Sequence, residues 1–224
     1  MFMTRMDVQS TPRRGFLGGM AAGAGALLLG RWSTASAEAP LNATSFVGDE
    51  WIAKIRGKYK QVFDVTSSTN EFAGAYPLNF INSTKDATKA ADADITPVLV
   101  FRHFGMPLAL NDAVWAKYKL GDMLGVKDPK TKAAATRNVY RDAIPLYTGE
   151  TYETLMTKHG VVIVACNLAL NVISGMAAPR ANATADQAKK DFTAGLIPGV
   201  ALAASGVYAI NRAQQAGCTY CYAG

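Results

Sequence analysis

The apolar positions of this chain fall into short continuous runs rather than into a strict alternation. The clearest run is Val161–Ala165, five small or branched apolar residues between Gly160 and Cys166. Such a run predicts a strand buried on both faces, as in a parallel sheet covered by helices. Gln61–Val65, Ile95–Phe101 and Val200–Ala204 predict three more strands, with Pro97 tolerated at the start of the second. Residues between the runs carry apolar positions at helical spacing. They predict helices at Trp51–Lys60, Pro77–Ala91, Ala113–Tyr118 behind a cap at Asn111-Asp112, Thr151–Lys158, and Leu168–Ala178. Two further helices are expected at Asp186–Ala194 behind Thr184 and at Val207–Ala216, the latter stopped by Gly217. Residues 121–148 hold Gly121, Gly125, Pro129 and Pro145, and predict an irregular excursion with one short helix near Ala133–Tyr140. Strand and helix alternate four times. The expected fold is α/β, a three-layer sandwich with a mostly parallel central sheet of about four to five strands.

The first residues change this picture of a single domain. Thr11-Pro-Arg13-Arg14-Gly-Phe16-Leu17 has the form of a twin-arginine motif. It precedes the apolar run Gly18–Gly30, which is too short to span a bilayer, and a small-residue cleavage pattern at Ala35-Ser36-Ala37. Residues 1–37 are expected to be an export signal that carries folded cargo to the periplasm. Residues 38–57 then form an N-terminal arm, 58–217 the α/β domain, and 218–224 a tail bearing Cys218-Thr-Tyr-Cys221. Membrane contact is expected only through the signal during export.

Charge adds little. The whole chain carries +6, but residues 1–37 hold Arg5, Arg13, Arg14 and Arg31 against Asp7, so half of that excess belongs to the leader. No nucleic-acid partner follows from it. No Gly-x-Gly-x-x-Gly follows the first strand, and no His-Glu-x-x-His or Ser–His–Asp order is present, so no cofactor is expected and no hydrolase site stands out.

Chemistry concentrates on sulfur. Cys166 falls where a central strand ends and a helix begins. Ligands collect at that edge of an open α/β sheet, and a helix N-terminus stabilises the reactive thiolate. The alternative is a cysteine packed as a small buried hydrophobe. His103 ends the second strand on the same sheet edge, as Ser205 ends the fourth. These ends are expected to converge on one pocket, with Arg102 or His103 beside an anionic sulfur. His159, at a helix C-terminus, reads as structural. Trp115 and Tyr118 share a helix face and fit either the core or a subunit contact. Cys218 and Cys221 lie past the last helix, where its dipole disfavours a thiolate. They fit a disulfide-closed tail, a mobile arm that resolves or relays sulfur to Cys166, or a soft Cu(I) site.

Several blocks together resemble the DsrE/DsrF-like family, in particular an exported branch of it. They are Pro97-Val-Leu-Val-Phe-Arg-His103-Phe-Gly, Asn111-Asp-Ala-Val-Trp115-Ala-Lys-Tyr118, Gly160-Val-Val-Ile-Val-Ala-Cys166-Asn-Leu-Ala-Leu, Leu196-Ile-Pro-Gly199-Val and Gly206-Val-Tyr-Ala-Ile-Asn-Arg212-Ala-Gln. The similarity spans residues 58–224. It implies homo-oligomers, often trimers or hexamers, and a sulfane-sulfur carrier in which Cys166 takes the persulfide position and exchanges with a donor or acceptor protein. The export signal, the 121–148 excursion and the Cys-x-x-Cys tail depart from the better-known members. A non-catalytic binding or assembly module of the same fold, and a metal or cofactor carrier, are the other functional expectations.

Overall fold

The computed structural model describes residues 49–224. The expected export signal, and the arm before Asp49, lie outside the described residues. Five strands form one sheet: β1 (Tyr59–Val65), β2 (Ile95–Phe101), β3 (Val162–Cys166), β4 (Ala201–Ala203) and β5 (Thr219–Tyr222). Every pairing is parallel, and the spatial order is β4-β3-β2-β1-β5. Phe63 lies beside Leu99 and Leu99 beside Ile163, so the apolar runs are in register at the middle of the sheet.

Seven α-helices accompany the strands among the described residues. They are α1 (Ala75–Thr88), α2 (Asp112–Lys117), α3 (Leu120–Leu124), α4 (Tyr152–Thr157), α5 (Asn167–Ala177), α6 (Ala185–Ala194) and α7 (Gly206–Gln215). Their starts follow local chemistry. Asn111, Thr151, Thr184 and Ser205 each accept a backbone N–H from the first turn, and Thr151 with Thr154 closes a reciprocal capping box. Among the described residues no helix is long and apolar enough to cross a membrane.

Successive strand residues point to opposite faces of the sheet, and the core divides accordingly. Phe63, Val65, Leu99, Phe101, Ile163 and Ala165 pack with Leu78 and Ile81 of α1, Trp115 of α2, Leu155 of α4 and Leu170 and Ile173 of α5. Val62, Val98, Val100, Val162 and Val164 pack with Trp51, Ile55, and Ala209 and Ala213 of α7. Chain direction explains this division. From β1 to β4 the chain steps across the sheet one strand at a time. After β4 it reverses, and α7 crosses β3, β2 and β1 to deliver β5 beyond β1. A right-handed crossover in the reverse direction has to run over the opposite face.

Several expectations needed correction. Trp51–Lys60 is not one helix: a 3-10 turn, Glu50–Lys54, is followed by β1, which already begins at Tyr59. No helix forms at Ala133–Tyr140. The excursion is held instead by the fully buried Asn138, whose Nδ2 donates to the carbonyls of Leu108 and Leu110 at 2.8 and 2.9 Å. Trp115 and Tyr118 are core residues with no exposure, so neither is a subunit contact. Trp115 Nε1 donates to the Pro107 carbonyl at 2.9 Å, and the Tyr118 hydroxyl donates to Asp191 at 2.5 Å. The largest correction concerns the expected tail. Thr219–Tyr222 is the fifth strand, paired with β1 from Gln61↔Thr219 to Asp64↔Tyr222.

Candidate functional site

β3 and β4 are neighbours, yet the helices that leave them go to opposite faces: α5 to the side of Leu99, α7 to the side of Val98. A crevice must open between two helix N-termini where adjacent connections diverge in this way, at the carboxyl ends of the strands. A cleft of about 290 Å³ lies there. Arg102 and His103 from the end of β2, Cys166 from the end of β3, and Ser205 and Gly206 from the start of α7 line it. The expected convergence of three strand ends is thus observed.

Cys166 is the N-cap of α5, and its Sγ accepts the Ala169 backbone N–H at 3.2 Å. Only 5% of the residue is exposed. The residue lines the cleft, and its sulfur sits at the end of a helix whose dipole favours negative charge. His103 lines the same cleft and turns the chain out of β2 with φ +48°, a left-handed conformation that costs a non-glycine residue of order 1 kcal/mol.

Arg102 is fixed from below. Its Nε and Nη2 donate to the two carboxylate oxygens of Asp64 at 2.6 and 2.8 Å. Asp64 sits inside β1 with 1% exposure and also accepts the Tyr220 hydroxyl of β5 at 2.8 Å. The hydrogen bond to Asp64 is the main cause that raises the Arg102 pKa above its ordinary value, and the charge of Asp64 adds to it. Arg102 lines the cleft, its stem lies against Gly206, and its Nε and Nη2 are turned to Asp64, which does not line the cleft. Gly206 makes room for the arrangement: a Cβ there would lie 2.3 Å from Arg102 Cβ.

Phe104, Leu168, Val172, Ile173 and Val207 complete the cleft with apolar walls. Four of them are well exposed: Phe104 at 50%, Leu168 at 60%, Val172 at 54% and Val207 at 69%. Sequence patterning missed these residues, although the signal was present. Leu168, Val172 and Met176 recur every fourth residue on the side of α5 away from Leu170, Ile173 and Ala177, so the helix carries a second apolar line outside its buried face. Asp64 was missed as well; its signal is a carboxylate inside the strand Gln61–Val65, which cannot be buried without a cation.

Cys218 and Cys221 do not join Cys166. Cys218 packs in the cluster with Val62 and α7, while Cys221 packs against the cluster with Phe63. Their side chains take opposite faces of the sheet, which sets aside both a closed Cys-x-x-Cys disulfide and a two-thiolate metal site; all three cysteines are free. β5 is three strand spacings from β3, roughly 14 Å at the usual separation, so neither thiol resolves Cys166 from its place in the strand. Burial raises the Cys218 pKa to about 11. Among the described residues no group of three or more His, Cys, Asp or Glu side chains is gathered as a metal site. His159 is held by Glu150, with Nε2 at 3.0 Å from Oε2, and has a structural setting. Comparisons with protein-family models, with characterised proteins and with solved structures return no match to this chain.

Proposed function

We propose that the protein is a thiol carrier of sulfane sulfur, with Cys166 as the atom that takes and passes on the sulfur. One observation carries this: Cys166, whose Sγ caps the N-terminus of α5, lines a cleft that Arg102 also lines. Thiolate is the nucleophilic form of cysteine, and a backbone N–H, a helix N-terminus and a nearby guanidinium all favour it. His103 lines the same cleft, and its assigned role is to donate to an anionic sulfur. Resemblance of the strand-end blocks to the DsrE/DsrF-like family supports the same assignment. The twin-arginine pattern at Arg13-Arg14 supports a periplasmic site of action, reached after folding.

Incubation with a sulfane-sulfur donor, followed by intact mass measurement, tests the proposal. A gain of one sulfur atom that is absent from Cys166→Ser supports it; an unchanged mass, or a gain that survives the substitution, overturns it.

A second reading rests on the exposed apolar line of Leu168, Val172 and Met176 on α5. Such a line suits a homo-oligomer of a non-catalytic module. In that case Cys166→Ser leaves the cellular phenotype intact, while Met176→Lys changes the sedimentation of the assembly.

A further inference from the structure

Resting on the assignment of Cys166 as sulfur carrier, we propose that the cleft selects an organic sulfane donor with one anionic head and one apolar group, of the thiosulfonate class, over inorganic thiosulfate. Three observations on the cleft lead there. Its walls, Phe104, Leu168, Val172 and Val207, are apolar and half or more exposed, so water covers them until something apolar does. Its polar end gathers the N-terminal turns of α5 and α7, whose dipoles favour an anion, at Cys166, Ser205 and Gly206, with Arg102 also on the lining. Its volume, about 290 Å³, matches one ring plus a small head, since an apolar cavity of about 150 Å³ already holds a benzene. Charge and apolarity are therefore separated along the cleft, and the ligand that fits has the same separation.

The step balances without an added oxidant or reductant. The Cys166 thiolate attacks the terminal sulfur of R–SO₂–S⁻ and forms a new S–S bond to it. The bond between that sulfur and the sulfonyl sulfur breaks, and its electron pair leaves with the sulfinate, R–SO₂⁻. Two negative charges enter and two remain, one on the Cys166 persulfide and one on the sulfinate. No proton is required. Arg102 offsets the repulsion between the two approaching anions and faces the sulfinate as it departs. Thiosulfate carries a second charge and nothing to cover the walls.

The test loads the full chain with sodium benzenethiosulfonate, sodium methanethiosulfonate or sodium thiosulfate. It follows the mass gain at Cys166 over time, with each rate divided by that of the same donor with free cysteine. The expected order is benzenethiosulfonate first, by about tenfold over methanethiosulfonate, and thiosulfate last. Leu168→Gln and Val172→Gln, at exposed positions, are expected to erase most of the ring's advantage. Equal normalised rates for the two thiosulfonates, a preference for thiosulfate, or a ring advantage untouched by both substitutions overturns the donor class while leaving sulfur carriage at Cys166 intact. No loading from any donor overturns the carrier assignment and the donor class together.

Discussion

Arg102 and Asp64 form a two-pronged ion pair that joins the end of β2 to the interior of β1, with Nε–Oδ1 and Nη2–Oδ2 at 2.6 and 2.8 Å. The Asp64 side chain is almost fully enclosed and the Arg102 side chain only one-fifth exposed. Removing one partner of such a pair leaves an uncompensated charge in the interior. Arg102→Met is expected to lower the unfolding free energy by about 3 kcal/mol in urea titration, and to slow sulfur loading at Cys166 in the fraction that remains folded. Unchanged stability would mean that Tyr220 alone satisfies the buried carboxylate.

Gly206 is a steric partner of the same arginine. A methyl group there meets Cβ of Arg102 at 2.3 Å and its Cδ at 2.9 Å, and the stem of the side chain has to move. Gly206→Ala is expected to cost about 1–3 kcal/mol of stability and to change the alkylation rate of Cys166. A stability scan together with an iodoacetamide time course checks both.

The two terminal cysteines should behave as strangers. Cys218 is buried, with a pKa raised to about 11, whereas Cys221 is partly open on the other face. In the native protein at about pH 8, Cys221 is expected to alkylate well before Cys218. Intact mass before and after reduction is expected to reveal no bridge between them. Peptide mapping of the labelled protein decides it.

Acid stability has a local source near the excursion. Glu150 accepts from Lys158, Thr154 and His159, and these hydrogen bonds, that from Lys158 foremost, lower its pKa to about 2. The folded value is below the unfolded one, so the contribution is present above about pH 4.5 and is lost as pH falls toward about 2. Asp191, held by Lys117 first and then by Tyr118 and Gln187, behaves alike, with its pKa lowered to about 2. Melting temperature followed from neutral pH downward should fall through this window, and Glu150→Gln should flatten part of that fall. A slope identical in the variant would remove Glu150 from the account.

Much of the sheet was legible because buried parallel strands are written as apolar runs: Ile95–Phe101 and the run ending at Cys166 need no partner to be recognised. Caps were legible for the same local reason, since Asn111 and Thr184 act on N–H groups three residues away. β5 was not. Thr219–Tyr222 is a strand of polar and aromatic residues whose only strand partner among the described residues is β1, so nothing in its own four residues announces the pairing. Reading it as a tail also joined Cys218 to Cys221, whereas a strand sets side chains three apart on opposite faces. The cleft was legible in its polar half, from the strand ends at His103, Cys166 and Ser205. Its apolar half was not, because the outward side of α5 at Leu168 and Val172 looks like core until the fold leaves it uncovered.

The pairing of β1 with β5 has a temporal consequence. Gln61 and Thr219 are 158 positions apart, so the outer edge of β1 finds its partner only after nearly every other element of the domain has been made. Contacts at that separation are slow to form, because a long loop must be closed before they reward the chain. On the ribosome, β1 therefore waits through the synthesis of seven helices with one side bare, and closure of that seam sets a floor on how soon the fold can be complete.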